Sequence, residues 1–306
     1  MKEKIKIVGI GANVFDTLYS LPHYPKEDTK TRALSCKVAG GGPVATGLVT
    51  ASKLGERTAY LGVLSDDNAG IFLKKDFEKY NVDTALIDVK SGCRSFASVL
   101  WLCEDTASRT CVFDRGDLPP LTLGDAHKEA IREADILMVD GNEMSAAIEA
   151  AAIARENGTR VLYDCGGLYP NADKLLALTD IMIPSEEFAL GHTGCSNAKE
   201  AAKKLYEIYS PEIVVITQGK HGGLLFDGKR YVNYPIYPAE VKDSNGSGDV
   251  FHGAFAAGLV KGFDFEKCCH FSSAVSAIKC MGIGARESVP DFETVKEYLK
   301  ENGYEL

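Results

Sequence analysis

The segment Asp243-Ser244-Asn245-Gly246-Ser247-Gly248-Asp249 runs straight into Val250-Phe251-His252-Gly253-Ala254-Phe255, and its residue types suit phosphoryl transfer to a hydroxyl. Gly246 and Gly248 let the backbone turn tightly and keep side chains off an approaching ligand. The first amides of a helix have no partner inside it and attract an anion, here those of Gly246, Ser247 and Gly248. Asp249, in the first turn, stands beside that anion. A carboxylate there can orient a hydroxyl and take its proton as it attacks phosphorus. A Gly-rich run on its own more often makes a plain helix cap, so the rest of the chain must decide. His252 reads as packed or at the surface rather than catalytic.

Such a helix end needs a rigid support, and the chain supplies one by alternation. Residues 5–11, 58–64, 136–140, 160–164, 181–184 and 213–217 are short apolar runs, each predicting a buried parallel strand. Residues 44–54, 69–80, 126–133, 144–157 and 197–208 predict crossover helices between them. The fold class is therefore α/β, a doubly wound, mostly parallel sheet flanked by helices. Two segments break the rhythm. Residues 17–39 and 91–113 are rich in alternating, β-branched and aromatic residues, as in Phe96-Ala97-Ser98-Val99-Leu100-Trp101-Leu102. They predict a small inserted β-sheet, placed to serve as a lid that keeps water from a reacting phosphate. No repeat or low-complexity linker divides the chain, so residues 1–306 read as one domain with that lid.

Composition bounds the partners. A formal charge of −9, with no basic cluster, argues against nucleic acid. No apolar run reaches the ~18 residues of a membrane-spanning helix. The opening Met1-Lys2-Glu3-Lys4-Ile5-Lys6-Ile7-Val8 lacks the features of a targeting segment and reads as the first strand. Nine cysteines, at 36, 93, 103, 111, 165, 195, 268, 269 and 280, form no Cys-x-x-Cys pair. They read as reduced, buried thiols of a cytoplasmic protein, not as disulfides or zinc ligands. Gly9-Ile10-Gly11 lacks the third glycine of a dinucleotide fingerprint, since position 14 is Val14.

Several motifs follow one another along the chain: Gly9-Ile10-Gly11 with Asp16, then Gly40-Gly41-Gly42-Pro43-Val44-Ala45-Thr46 before a helix ending at Leu54-Gly55. Next come Gly62-Val63-Leu64-Ser65-Asp66-Asp67-Asn68-Ala69-Gly70 and Thr217-Gln218-Gly219-Lys220-His221-Gly222-Gly223. The segment 243–249 and Gly284-Ala285-Arg286-Glu287-Ser288-Val289-Pro290 complete the order. Together they resemble the ribokinase-like (PfkB) family of carbohydrate kinases almost end to end. The resemblance implies ATP-dependent phosphorylation of a small sugar, ribose, fructose or a relative, at a primary hydroxyl. It makes Asp249 the general base and puts Asp16, Gly41, Gly42, Thr46 and Asp164 on the sugar side. Thr217, Gly219, Gly222, Gly246 and Gly248 fall to the nucleotide. Mg2+ falls to Glu187, or to Asp243 with phosphate oxygens and water, while Ser288 stands by a monovalent cation, K+, held by carbonyls near 243–245 and 282–288. The segment 284–290 closes the adenine and cation region. A homodimer paired through the lid is a further implication. Nucleosides are the alternative acceptors, and a non-catalytic sugar or nucleotide sensor is the alternative of another class.

Three positions depart from the family pattern. Thr46 replaces an asparagine and removes an amide donor near the sugar. Ser247 replaces an alanine without taking away a backbone amide. The Asn-x-x-Glu that organises the magnesium water shell reads here Ser185-Glu186-Glu187-Phe188 after Pro184, leaving Glu186 or Glu187 to substitute. Mg2+ tolerates this because it keeps much of its hydration. Arg94 and Arg115, on or beside the inserted segments, would meet an anionic group if the substrate carries one.

Overall fold

The computed structural model describes residues 4–106, 108–167 and 169–306. Residues 1–3 of the opening segment and Ala107 of the second inserted segment lie outside the described residues. The central sheet contains β1 (Ile7–Ile10), β4 (Thr58–Tyr60), β9 (Ile136–Val139), β10 (Arg160–Cys165), β11 (Ile181–Pro184) and β12 (Ile213–Thr217), all parallel. It continues antiparallel into β13 (Gly223–Phe226) and β14 (Tyr231–Tyr234). The order across the sheet is β14-β13-β12-β11-β10-β9-β1-β4. Ile7, Ile136, Leu162 and Ile213 point to one hydrophobic layer, and Val8, Leu137, Val161 and Val214 to the other. Both faces of each strand are therefore apolar, which is why the parallel strands read as unbroken runs.

Helices α1 (Pro43–Lys53), α8 (Ser247–Val260), α9 (Phe265–Cys280) and α10 (Phe292–Glu301) cover the first layer, and α2 (Asn68–Lys79) adds Phe77. The second is covered by α3 (Asp125–Glu133), α4 (Met144–Asn157), α5 (Ala172–Leu176), α6 (Glu186–Thr193) and α7 (Ala198–Tyr209). The doubly wound layout matches the expectation. Open sheets of this kind gather ligands beyond the carboxyl ends of their strands.

The run 58–64 is not one strand. It breaks after β4, and β5 (Gly62–Ser65) leaves to pair with β6 (Ile87–Lys90) in a separate ribbon. A Cβ on Gly62 would lie 2.4 Å from the Tyr60 ring, so the glycine lets the chain turn away beneath that ring. The inserted segments form a sheet ordered β3-β2-β7-β8, from β2 (Val14–Leu21), β3 (Ser35–Gly41), β7 (Ala97–Cys103) and β8 (Ser108–Asp114). Its first strand starts at Val14, earlier than residue 17, so Asp16 belongs to this sheet rather than to the end of a core strand.

Five cysteines are buried, but Cys36 and Cys111, on the small sheet, are exposed, because these strands have one bare face. No helix among the described residues is long and apolar enough to cross a membrane.

Helix α8 is apolar all round, and its residues from Val250 to Leu259 are buried, which marks a central helix. It packs between α1 and α9. A Cβ on Gly253 would meet the Gly47 carbonyl at 2.2 Å, so only glycine allows the α1–α8 approach. That contact lies within two turns of the start of both helices, and it brings their first turns, with Gly40–Gly42 and Gly246–Asp249, to one place.

Candidate active site

Gly246 caps α8 in the left-handed region at φ 72°, a conformation that favours glycine. The Ser247 amide is spent on the Ser244 carbonyl at 3.3 Å, while those of Gly246 and Gly248 have no backbone acceptor among the described residues. The anion hole expected from three amides therefore rests on the two glycines, with the Asp249 amide next in the turn. A Cβ on Gly248 would meet nothing within 4 Å among the described residues, so the helix end is open there. Ser276 of α9 donates to the Ser247 carbonyl at 3.0 Å and pins the turn. Burial pushes the Asp249 carboxyl up; His252 opposes this, Asp140 reinforces it, and Arg109 and Arg286 oppose it.

Asp16 is 8% exposed and accepts a hydrogen bond from Ser98 on β7 at 2.6 Å. Burial pushes its carboxyl up to about 6, against Ser98 and Arg286 and with the like charge of Asp249 adding. Gly41 lies opposite: a Cβ there would sit 2.0 Å from Asp16 Oδ2. Gly42 takes φ 95°, and a Cβ on it would meet the Ala12 carbonyl at 2.3 Å. The glycine run is thus required by close approach at one position and by a positive φ at the next.

Thr46, expected on the sugar side, is fully buried with its hydroxyl 3.5 Å from Arg286 Nε, so it presents no surface to a ligand. Its short side chain leaves that space to the guanidinium. Arg286 donates to Gly41 O at 2.6 Å, Asn13 Oδ1 at 3.0 Å and Asp76 Oδ2 at 2.6 Å. The segment read as closing the adenine region therefore sends its arginine to Gly41 and Asn13, beside the residues expected on the sugar side.

Asp164, also expected there, instead faces His252 Nδ1 at 3.3 Å. His252 is buried, not at the surface. Its Nδ1 lies 2.6 Å from the Gly248 carbonyl and its Nε2 3.0 Å from the Ile183 carbonyl, so it ties the anion hole to β10 and β11. Burial pushes Asp164 up to about 7, with His252 opposing and Asp249 and Asp140 adding. Asp140, at the end of β9, accepts from the amides of Ala12 at 2.8 Å, Val44 at 3.2 Å and Asn142 at 2.9 Å. One carboxylate thus fixes the first loop and the start of α1. A Cβ on Gly11 would strike it at 2.3 Å.

Asp16 and Asp249 therefore converge from the small sheet and from α8 on an open helix end, a geometry that can hold a hydroxyl against an anion. The pfkB family carbohydrate kinase model matches residues 4–291. The chain belongs to the pfkB family of carbohydrate kinases. It is 28% identical to the 5-dehydro-2-deoxygluconokinase of Clostridium perfringens over 98% of this chain and 94% of that protein. It is 25% identical to the ribokinase of Haemophilus influenzae over 95% of this chain and 97% of that one. The solved structure of Arabidopsis thaliana ribokinase complexed with ribose and ATP superposes with a TM-score of 0.87, at 25% identity, over 97% of this chain and 99% of that one.

In this pfkB-family chain, Thr217 ends β12, and Gly219 and Gly222 take φ 53° and 80° around a short 3-10 turn. A Cβ on Gly222 would meet the Tyr234 carbonyl at 2.2 Å, which reserves that position for glycine. Gln218 reaches from this loop to Glu186 at 2.7 Å, so Glu186 stands beside the expected nucleotide loop. Glu187 is exposed in the same first turn of α6. These two carboxylates fit a hydrated magnesium ion, which needs few protein ligands. Asp243 does not. Its Oδ1 is taken by the Asn245 amide at 2.8 Å and its Oδ2 by the Gly284 amide at 2.9 Å. Phe188, where the family pattern has glutamate, is 2% exposed and stacks on His192.

A cavity of about 320 Å³ opens beside Gly11, Asn13, Phe96, Arg115 and Asn142. Asn13, which sequence reasoning passed over, offers there a buried amide Nδ2 without a partner among the described residues. Arg94 is held by Asp114 and Asp117, whereas Arg115 reaches Asn142 at 3.1 Å and lines the cavity. A larger hollow of about 440 Å³ lies at the far end of α1, beside Ser52, Glu56 and Asp83, and gathers none of these groups.

Proposed function

We propose that the protein transfers the γ-phosphoryl group of ATP to a primary hydroxyl of a small sugar. The observation that carries this reading is Asp249 in the first turn of α8, beside the free amides of Gly246 and Gly248 and across from Asp16. Asp249 takes the proton of the attacking hydroxyl, and the α8 amides hold the phosphoryl group as its charge spreads. Asp16, Gly41, Gly42 and the Asn13 amide hold the sugar. Thr217, Gly219 and Gly222 form the nucleotide loop. Glu186 and Glu187 are the carboxylates that would hold magnesium, which would offset the charge of the ATP phosphates. Asp164 acts through His252 on the Gly248 carbonyl rather than on substrate.

The small sheet closes over this site as a lid. Its strand β8 is exposed along its length, with Val112 and Phe113 about 60% bare, so a second chain covers it. Sedimentation at micromolar concentration should give a dimer, and a monomer would count against that pairing.

Arg115 in the cavity wall favours an acceptor that carries a carboxylate over a neutral pentose, in keeping with the 5-dehydro-2-deoxygluconokinase relatives. The test is ADP and phosphosugar formation across ribose, fructose, 5-dehydro-2-deoxygluconate and nucleosides. Asp16→Ala should then cost about 1–3 kcal/mol in kcat/KM for the sugar while ADP affinity holds. No product from any acceptor would overturn the kinase reading, and an equal loss for both ligands would make Asp16 structural.

A further inference from the structure

We propose that the Lys279 ammonium stands where a potassium ion is expected, so that this chain carries its own fixed cation behind the anion hole. Lys279 lies in the last turn of α9 and is fully buried. Its Nζ donates to the Asp243 carbonyl at 2.7 Å and lies 3.7 Å from Asp243 Oδ2. Asp243 opens the segment that leads to Gly246, and its carboxylate binds the amides of Asn245 and Gly284. One ammonium therefore braces both loops that a bound cation would have to brace.

The neighbouring carbonyls are spent in the same way. Lys53 donates to the carbonyls of Arg286 at 3.2 Å and Glu287 at 2.9 Å. Ser288, expected beside the ion, instead donates to the Ile283 carbonyl at 2.9 Å. Potassium would have to displace protein donors from Asp243, Ile283, Arg286 and Glu287, and sit against a like charge. The residues present do not fit it. Burial pushes the Lys279 ammonium down, and the Asp243 carboxylate opposes this. A lysine kept there at that desolvation cost is explained if its charge orders the loop before phosphate arrives.

The catalytic consequence rests on the phosphotransfer reading; the consequence for nucleotide binding does not. Turnover, and ADP affinity by calorimetry, are measured in choline chloride and in KCl at one ionic strength. For the unmodified protein both should stay within about twofold. A several-fold rise with K+, in either readout, would overturn the proposal. Lys279→Ala should lower kcat and ADP affinity by about 10–100-fold, the range for groups that orient a site. KCl or NH4Cl should then restore part of the loss. In Lys279→Met the apolar chain still fills the space, so the same salts should restore nothing. An alanine variant with unchanged kcat and ADP affinity, or one that no cation rescues, would leave Lys279 a packing role only. If neither variant folds, the ion series on the unmodified protein decides. Calorimetry with ADP needs no acceptor, so the ion question stays answerable even if every sugar fails.

Discussion

Asp249→Asn is expected to lower kcat at least ~10²-fold while leaving ADP affinity and the melting temperature close to those of the unmodified protein. The amide keeps the size of the carboxylate and the open helix end, but it cannot take a proton. Asp249 lies in the first turn of α8, where its removal leaves the Gly246 and Gly248 amides free to bind phosphate. The loss should therefore fall on kcat rather than on binding. Proton balance gives a second signature. Asp16 is pushed up to about 6, so only above that pH would it meet sugar hydroxyls as an ionised carboxylate that accepts on both oxygens. The kcat/KM for sugar should fall as pH drops from 7.5 through about 6, in the variant as in the unmodified protein. Rapid-quench measurement of phosphosugar at saturating ATP separates the two effects. Near-full turnover in Asp249→Asn would remove that carboxylate from the mechanism.

What could be read from the chain follows from the range of the forces involved. Parallel strands buried on both faces must be apolar throughout, so 136–140 and 213–217 announced themselves locally. Glycines were legible for a similar reason: Gly42 and Gly246 need a positive φ that other residues rarely adopt. Boundaries were harder. Nothing in the residues 58–64 shows that the Tyr60 ring will cover Gly62 and turn the chain out of the sheet.

Long-range polar pairs were harder still. The pairing of Asp164 with His252 has no local sequence signal, and only the fold brings β10 against α8 so that they meet at 3.3 Å. A carboxylate at the end of a buried strand was the available signal for Asp140 and Asp164, since such a group must find donors or stay uncharged. Lys279 had a comparable signal, a lysine following Ala274, Val275, Ala277 and Ile278 in the C-terminal half of α9. Thr46 misled because its place in the family pattern suggested ligand contact, while the Arg286 guanidinium lies against its hydroxyl.

Arg286 carries the second large expected effect. Its guanidinium is 1% exposed, lies over the Phe77 ring at 5.3 Å, and ties Asp76 on α2, Asn13 after β1 and Gly41 on β3 together. Arg286→Met keeps much of the apolar stem but leaves the Asp76 carboxylate facing protein without its partner. Breaking a buried pair from one side costs about 3–5 kcal/mol, because the remaining charge is uncompensated. A drop in melting temperature on the order of 10 °C is expected. Arg286→Lys should recover little, since a point charge cannot reach three acceptors in the plane of a fork. The double variant Arg286→Met with Asp76→Leu removes the orphan carboxylate and should regain part of the stability. Sugar affinity should not return with it. Gly41 opposite Asp16, and the Asn13 amide in the cavity, would still lack the group that fixes them. Denaturant melts and calorimetry with sugar on the same three variants separate the two roles. Full recovery of sugar affinity in the double variant would confine Arg286 to holding α2 in place and release the substrate side from its control.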